Sequence, residues 1–403
     1  MQIPNKSGLL TSLLLISALI FSLALAELGL RVTDFSYYWS LARYPDPITG
    51  WSAKPGTTGW QRLEGDAYVE INGDGWRDVV HTIKPEPGIF RIAFIGDSFT
   101  EAVQIPLEQS YWRLLEGMLP NCPTPGVQKK IEILGFAVSG YSTAQEMLVL
   151  ENKVWKYQPD LIVLAFFSGN DLIENSQVLG GDAMRPVFTL EGGELKQNMN
   201  FLQSAEYQTT KSWLGRVKWS LITNSRLVQA ITLAMHRLQI ASKVAKHDET
   251  AISNIKDEPG VDVRVYSPPT TKEWQSSWKT TEAILERMHL EVAEHQAKFL
   301  VITLTTGAQV HPNQAFREQF KKQLNIPNLF YADERIRQIG NRVGFPVLNL
   351  AKDFQQFATN TGIWLHGFKN SGKGVGHWNQ NGHRLAAERI ASYLCNNSEL
   401  FVK

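Results

Sequence analysis

The stretch Arg91-Ile-Ala-Phe-Ile-Gly-Asp-Ser-Phe99 decides the predicted fold of this chain. Ile92 to Ile95 is a short apolar run of strand type, and it stops at Gly96-Asp97-Ser98, three residues that all favour turns. A serine at the end of a buried strand, beside a glycine that permits a tight turn, can present its Oγ to a ligand. The pattern is typical of an ordinary loop as well as of a nucleophile. Other motifs in the chain are needed to distinguish the two interpretations.

Three further blocks follow in order, and we expect each of them at a strand end. The block 134–140 (LGFAVSG) follows an apolar run at 131–134, and the apolar run 160–167 ends in Ser168-Gly-Asn-Asp171. His377-Trp-Asn379 precedes a helical pattern that starts at Gly382. Together with Gly96-Asp97-Ser98, these blocks resemble the SGNH (GDSL) hydrolase superfamily, which is named for its Ser, Gly, Asn and His blocks. The resemblance covers residues 91 to 394.

The resemblance implies a serine esterase. Ser98 would be the nucleophile, and His377 would take its proton and later pass it to the leaving alcohol. The oxyanion would be held by the backbone N–H groups of Ser98 and Gly140 and by the side-chain amide of Asn170. Gly140 suits that role because a residue without Cβ lets the backbone approach a substrate.

One position departs from the family pattern. The family usually has an Asp three residues before the histidine, and here that position is Gly374. The chain has no acid between Asp353 and His377. The loop before His377 contains Gly372, Gly374 and Gly376. We therefore expect either a backbone carbonyl of this loop or a remote acid such as Asp353 to orient the imidazole, and we favour the carbonyl. His383 is the weaker candidate for the base, since its place in a helical pattern indicates a capping or surface role.

The N-terminus carries a candidate membrane segment. Residues Gly8 to Ala26 contain no charge, and as a helix they would span about 28 Å, enough for a bilayer core. Lys6 precedes the segment and Glu27 follows it, which predicts a cytoplasmic N-terminus and an extracytoplasmic remainder. Ala24-Leu-Ala26 also fits a signal-peptidase site, so secretion after cleavage at Ala26 is the alternative to an uncleaved anchor.

Composition limits the function classes. The 403 residues are 43% hydrophobic and 20% charged, with a net charge of +1, which provides material for a large core and no basic excess for nucleic acid. The histidines are scattered without metal-ligand spacing, so we expect no metal and no other cofactor. Cys122 and Cys395 can form a disulfide in an oxidising compartment, but the sequence leaves their pairing open. The oligomeric state also stays open.

Apolar runs of strand type alternate with helical patterns, which predicts a three-layer α/β/α fold with a mostly parallel central sheet of the flavodoxin type. Its strands are expected at 91–95, 131–134, 160–167, 299–304 and 345–350, and its helices at 107–119, 143–157 and 330–342. The predicted organisation is an anchor or signal peptide at 1–26, a lead-in of turns and short strands at 27–85, and a hydrolase domain at 86–403, interrupted by an insertion at 177–272.

The insertion differs in pattern from the sheet around it. A hairpin is expected around Gly192-Gly193, helices at 205–245, and a polar loop at 246–272, before helical spacing resumes at 273–295. The insertion could cap the site. We expect its apolar helix faces to pack in a core rather than to form a membrane-binding lid.

The resemblance implies an esterase acting on an O-acyl group, and together with the predicted compartment it makes O-acetyl on an extracytoplasmic carbohydrate the leading substrate. An O-acyltransferase of a cell-envelope polysaccharide could use the same site. A lipase or thioesterase, or a non-catalytic relic of the fold, are further alternatives. The presence of all four block residues argues against the relic.

Overall fold

The computed structural model describes residues 6–38, 42–122, 130–244 and 260–401. Of the predicted loop at 246–272, residues 246–259 lie outside this part of the chain.

The strands are β1 Tyr44–Asp46, β2 Gly50–Ser52, β3 Thr58–Gln61, β4 Ala67–Glu70, β5 Ile89–Gly96, β6 Lys130–Ala137, β7 Leu161–Phe166, β8 Val187–Glu191, β9 Glu194–Asn198, β10 Lys298–Thr303, β11 Val347–Asn349, β12 His366–Phe368 and β13 Gly372–Trp378. The helices are α1 Lys6–Val32, α2 Ser98–Glu101, α3 Tyr111–Met118, α4 Thr143–Val149, α5 Asp171–Glu174, α6 Gln177–Gly180, α7 Ala205–Lys211, α8 Trp213–Asn224, α9 Arg226–Val244, α10 Lys272–Glu294, α11 Gln314–Leu324, α12 Tyr331–Val343, α13 Ala351–Thr361 and α14 Gln380–Asn396.

The central sheet has five parallel strands in the order β11-β10-β7-β5-β6. In chain order this is the 2-1-3-4-5 arrangement of flavodoxin-like folds. The strand order reverses between β5 and β7, and ligands bind at the carboxyl ends of the strands at such a point. The predicted α/β fold with a parallel central sheet is therefore confirmed.

Alternation along the strands separates the core into two layers. On β5, Ala93 and Ile95 pack on one face of the sheet, whereas Ile92 and Phe94 pack on the other. The first face is covered mainly by α4, α10 and α12, and the second by α3, α13 and α14. Both faces of the parallel sheet are buried under helices, as such sheets require.

Most predicted elements occur where the sequence placed them. The predicted helix 143–157 is an α-helix to Val149, then a π-helical segment Leu150–Val154 and a 3-10 turn Trp155–Tyr157. The predicted helical region 205–245 is divided among α7, α8 and α9, because Ser212 and Ser225 end one helix in extended conformation before the next begins. The helices α11 and α13 were not predicted.

The short strands of the lead-in form two hairpins, β1–β2 and β3–β4, and the hairpin predicted around Gly192-Gly193 is β8–β9. Cys122, which follows α3, is disulfide-bonded to Cys395 of α14, with 5.4 Å between the Cα atoms. This bond ties the C-terminal helix to the helix that follows the Ser98 segment.

The helix α1 is the one helix in the described ranges that is long and apolar enough to cross a membrane, by length and composition. The most apolar 18 residues within Gly8–Val32 have a mean hydropathy of 2.5, and none of them is buried by the rest of the protein. The helix does not end at Ala26, because it continues for more than a turn to Val32. This extension carries Glu27 and Arg31 into contact with the body of the protein.

Candidate active site

Ser98 lies where the sequence predicted it, directly after β5 at the reversal of strand order. It is half-buried and is the first residue of the one-turn helix α2. Asp97 caps this turn, because its carboxylate accepts a hydrogen bond of 2.9 Å from the backbone N–H of Phe99. The cap fixes the turn so that the Ser98 side chain leaves the end of the strand.

His377 connects Ser98 to an acid. Its Nε2 lies 2.7 Å from Ser98 Oγ, and its Nδ1 lies 2.6 Å from Oε2 of Glu64. The second Glu64 oxygen accepts a hydrogen bond of 2.8 Å from the backbone N–H of His377. Glu64 therefore holds both the ring and the backbone of His377, and the three side chains form a Ser-His-Glu chain of hydrogen bonds.

This geometry corrects the expectation about the group that orients His377. The favoured candidate was a backbone carbonyl, and the alternative was Asp353. Asp353 instead lies on α13 with 58% of its side chain exposed and faces Arg389 at 3.6 Å. Glu64 occupies the place at Nδ1, and it comes from the lead-in, 313 residues before His377.

The glycines before His377 make room for this acid. Gly376 has φ +76°, and a Cβ there would lie 2.3 Å from Glu64 Oε1. At Gly374, where the family pattern has its acid, φ is +80° and a Cβ would lie 2.3 Å from the ring of Trp364. A side chain at either position is therefore excluded by neighbours and by the left-handed backbone. Position 374 therefore cannot supply the acid, and the glycine at position 376 leaves room for Glu64.

Asn370, in the turn between β12 and β13, holds the segment that carries Glu64. Its Oδ1 accepts a hydrogen bond of 3.0 Å from the backbone N–H of Gly65, and its Nδ2 donates to the carbonyl of Gly65 at 2.8 Å. The turn that precedes His377 is thus bonded to the residue that follows Glu64, which fixes the acid relative to the imidazole.

The pair has shifted proton affinities. Burial lowers the pKa of His377, but the facing Glu64 carboxylate, with smaller contributions from Asp97 and Glu101, raises it above the ordinary value. For Glu64, burial raises the pKa, yet the charge of His377 and its hydrogen bonds bring it below the ordinary value. The Glu64 carboxylate therefore favours the protonated form of His377.

The loop with Gly140 is tied to the Ser98 turn by a buried carboxylate. Glu101, at the end of α2, accepts hydrogen bonds from the Tyr38 hydroxyl at 2.5 Å, from the backbone N–H of Ser139 at 2.7 Å, and from the Ser139 hydroxyl. Burial raises its pKa. Gly140 has φ +77°, and the nearest atom to an added Cβ would be a ring carbon of Trp51 at 3.7 Å. The space beside Gly140 is thus open to a ligand.

Asn170, after β7, is half-buried and donates from Nδ2 to the Asp97 carboxylate at 3.0 Å. Burial raises the pKa of Asp97 to about 6, against the hydrogen bonds of Phe99 and Asn170 and the charge of His377. Asp97 thus fixes both the Ser98 turn and the Asn170 amide. Ser98, Gly140 and Asn170 each follow a parallel strand, which brings these predicted residues to one edge of the sheet.

His383 was expected to have a capping or a surface role, and the surface alternative is wrong. It is buried, its ring stacks on Tyr111, and its Nδ1 accepts a hydrogen bond of 3.3 Å from the backbone N–H of Tyr111. Burial lowers its pKa to about 3. A histidine held neutral in the core, away from Ser98 Oγ, has a structural role.

A cavity of about 1210 Å³ lies over Ser98 and His377. Two arginines stack on Trp51 in its wall, Arg43 at 3.8 Å and Arg185 at 4.9 Å from the ring centroid. Arg185 donates to the carbonyl of Gly140 at 2.8 Å. The helices α7, α8 and α9 of the predicted insertion supply much of the remaining wall, with Ala205, Glu206, Thr209, Thr210, Gly215, Lys218, Trp219, Ile222, Thr232, Met235 and His236.

No protein-family model matches the chain, and no curated protein sequence matches it. Among solved structures, the acetyl xylan esterase AlAXEase is similar, with 14% identity and a TM-score of 0.39, over 76% of this chain and 100% of that chain. Axe2, an acetylxylan esterase from Geobacillus stearothermophilus, has 12% identity and a TM-score of 0.37, over 75% of this chain and 92% of its own. LAE5, an alpha/beta hydrolase enzyme from the metagenome of Lake Arreo, Spain, has 12% identity and a TM-score of 0.37, over 78% and 97%.

Glu64 is the site residue that sequence reasoning missed. It lies in Arg62-Leu-Glu-Gly-Asp66, a polar segment with no apolar period and no family block. The available signal was indirect. Glycine at both 374 and 376 signals that something approaches the backbone just before His377, but it does not say which residue.

Proposed function

We propose that the chain is a serine esterase that uses Ser98, His377 and Glu64 as its catalytic triad. The observation that supports this most strongly is the continuous pair of hydrogen bonds, 2.7 Å from Ser98 Oγ to His377 Nε2 and 2.6 Å from His377 Nδ1 to Glu64. A nucleophile, a base in contact with it and an acid that orients the base are the parts that acyl transfer requires.

The reaction follows from these positions. Ser98 Oγ attacks the ester carbonyl while His377 Nε2 accepts its proton, and Glu64 stabilises the resulting imidazolium. The tetrahedral oxyanion accepts hydrogen bonds from the backbone N–H groups of Ser98 and Gly140 and from the Asn170 amide. The alcohol leaves with the proton from His377. Water then repeats the sequence on the acyl-enzyme and releases the acid.

We infer that the ester joins a small acyl group to a large alcohol, and an O-acetyl group on an extracytoplasmic carbohydrate is the substrate that we propose. The cavity, at about 1210 Å³, is far larger than an acetyl group needs. It combines the aromatic ring of Trp219 with polar and charged side chains in its wall. Such a wall suits a sugar, which presents both apolar ring faces and hydroxyl groups.

The test uses the full chain in detergent with p-nitrophenyl esters of increasing acyl length and with acetylated polysaccharides. A fluorophosphonate probe should label the wild type, and Ser98→Ala should abolish both labelling and hydrolysis. Labelling of Ser98→Ala at another serine would contradict the assignment. Hydrolysis of long-chain esters in preference to acetyl esters would contradict the proposed substrate while leaving the esterase in place.

We further propose an extracytoplasmic location, with α1 as an uncleaved anchor. Beyond the uncharged stretch Gly8 to Ala26, Glu27 and Arg31 of the same helix are bonded to the body of the protein, which supports an anchor that stays attached. The Cys122–Cys395 disulfide fits an oxidising compartment. A tag placed at the N-terminus tests this. The purified mature protein should retain the tag, because cleavage after Ala26 would remove it.

A further inference from the structure

The helices α8 and α9 expose an unusual amount of apolar surface. Seven of their large hydrophobic side chains are exposed, and we call this set the α8–α9 face: Trp213, Leu214, Val217, Leu221, Ile231, Met235 and Leu238. Single exposed hydrophobic residues are common on soluble proteins, but a contiguous set marks an interaction surface. The expectation that these helix faces pack in a core is therefore wrong for this set.

The exposed residues form a stripe on each helix. With 3.6 residues per turn, Trp213, Val217 and Leu221 fall on the same side of α8, and Ile231 and Leu238 on the same side of α9, where Met235 also reaches the cavity wall. The opposite side of α8 lines the cavity, through Lys218, Trp219 and Ile222 in particular. The apolar stripe on α8 therefore faces away from the cavity and is exposed.

Charge accompanies this apolar surface. The sequences of α8 and α9 contain Arg216, Lys218, Arg226, Arg237 and Lys243 and no aspartate or glutamate. Arg216 and Arg237 are exposed, and so is Lys218 at the edge of the cavity. Helices with an apolar face and only basic charges bind at the surface of membranes that contain anionic lipid.

The end of the membrane helix is bonded to the junction of α8 and α9. Glu27 of α1 accepts hydrogen bonds from the backbone N–H groups of Arg226 at 3.0 Å and Leu227 at 2.9 Å, which are the first residues of α9. Arg31 donates to the carbonyl of Asn224 at the end of α8. The α8–α9 face therefore begins where the apolar part of α1 ends.

We propose that the α8–α9 face lies on the anionic surface of the membrane that α1 crosses. The bond between Glu27 and the start of α9 holds this face at the level of the headgroups, where its apolar side chains enter the interface and its basic side chains meet lipid phosphates. A second copy of the chain is the less suitable occupant, because a symmetric contact would bring two faces with only basic charges together.

The experiment places a nitroxide label on the full chain in nanodiscs that contain phosphatidylglycerol and phosphatidylcholine. The labelled variants are Trp213→Cys and Leu238→Cys, and the matched control is Leu290→Cys on α10, where the native side chain is 57% exposed. Collision rates with oxygen, which concentrates in lipid, and with a water-soluble nickel chelate report the surroundings of each label. Circular dichroism checks that each variant is folded.

Labels at positions 213 and 238 should show a several-fold higher ratio of oxygen to chelate collisions than the label at position 290, and the contrast should fall in pure phosphatidylcholine. Ratios equal to that of the control would overturn the proposal. Shielding from both reagents would also overturn it and would indicate a protein partner or a second copy. An equal contrast in both lipids would overturn the requirement for anionic lipid. The measurement needs no catalysis, so its result is independent of the proposed esterase activity.

Discussion

Glu64 Oε2 lies 2.6 Å from His377 Nδ1, although 313 residues separate the two in the chain. The lead-in of small hairpins thus completes the site that the central sheet begins. It is held there by Asn370, which bonds the residue after Glu64 to the turn that precedes His377. A segment that looks peripheral in sequence consequently controls the tautomer and orientation of the proposed base.

Replacing the acid should cost most of the activity. Glu64→Gln keeps the size of the side chain but removes its charge and permits the wrong tautomer of His377, so kcat should fall by as much as ~10⁴-fold, as when a triad acid is neutralised. Asp353→Asn is the matched control and should stay close to wild type, since Asp353 faces Arg389 on α13. Steady-state hydrolysis of p-nitrophenyl acetate measures both. Comparable losses of kcat in the two variants would contradict the assignment of Glu64 as the only acid and would give Asp353 a role in catalysis.

The pH profile should report the Glu64–His377 pair. His377 acts as a base only when it is neutral, and its pKa is raised above the ordinary value of 6.5. kcat/KM should therefore rise with pH through an apparent pKa above 6.5, and the protonated form should dominate below it. In Glu64→Gln the acid limb should move to lower pH, because the carboxylate no longer favours the imidazolium. An unchanged limb in that variant would assign the titration to another group.

Gly376 should tolerate no side chain. A Cβ at this position would lie 2.3 Å from Glu64 Oε1, so Gly376→Ala should displace the acid and lower kcat. Gly372→Ala is the matched control, since Gly372 also has a positive φ, +99°, but its added Cβ would meet only Val375 at 3.5 Å. Both variants carry backbone strain of about 1–3 kcal/mol. Thermal unfolding should thus show similar losses of stability, while the loss of kcat should be confined to Gly376→Ala.

Asn170 should act in the transition state. If its amide contributes to the oxyanion hole, Asn170→Ala should lower kcat by ~10²–10³-fold with little change in KM. Asn152→Ala removes an amide that donates to the carbonyl of Leu148 one helical turn earlier, and it should leave both constants near wild type. A rise in KM alone for Asn170→Ala would make it a substrate-binding residue instead.

The amino-acid sequence by itself determined the features that depend on neighbouring residues. Apolar runs ending in Gly96-Asp97-Ser98 and Ser168-Gly-Asn-Asp171 predicted parallel strands with polar residues at their carboxyl ends, because strand burial and turn chemistry are local properties. The uncharged stretch from Gly8 to Ala26 predicted the apolar helix for the same reason. The blocks then placed Ser98, Gly140 and Asn170 past the ends of parallel strands, at one edge of the sheet.

The tertiary structure alone decided which distant residues meet. Glu64 carries no local signal, since a carboxylate in a polar segment looks the same whether it faces solvent or an imidazole. The pairing of Cys122 with Cys395 and the exposed stripe of α8 and α9 were likewise undecided or mispredicted. Periodicity shows that a helix has an apolar face but not what covers it, because the covering surface comes from elsewhere in the chain or from the membrane. Contacts across hundreds of residues are set by how the elements pack, and a single sequence does not record them.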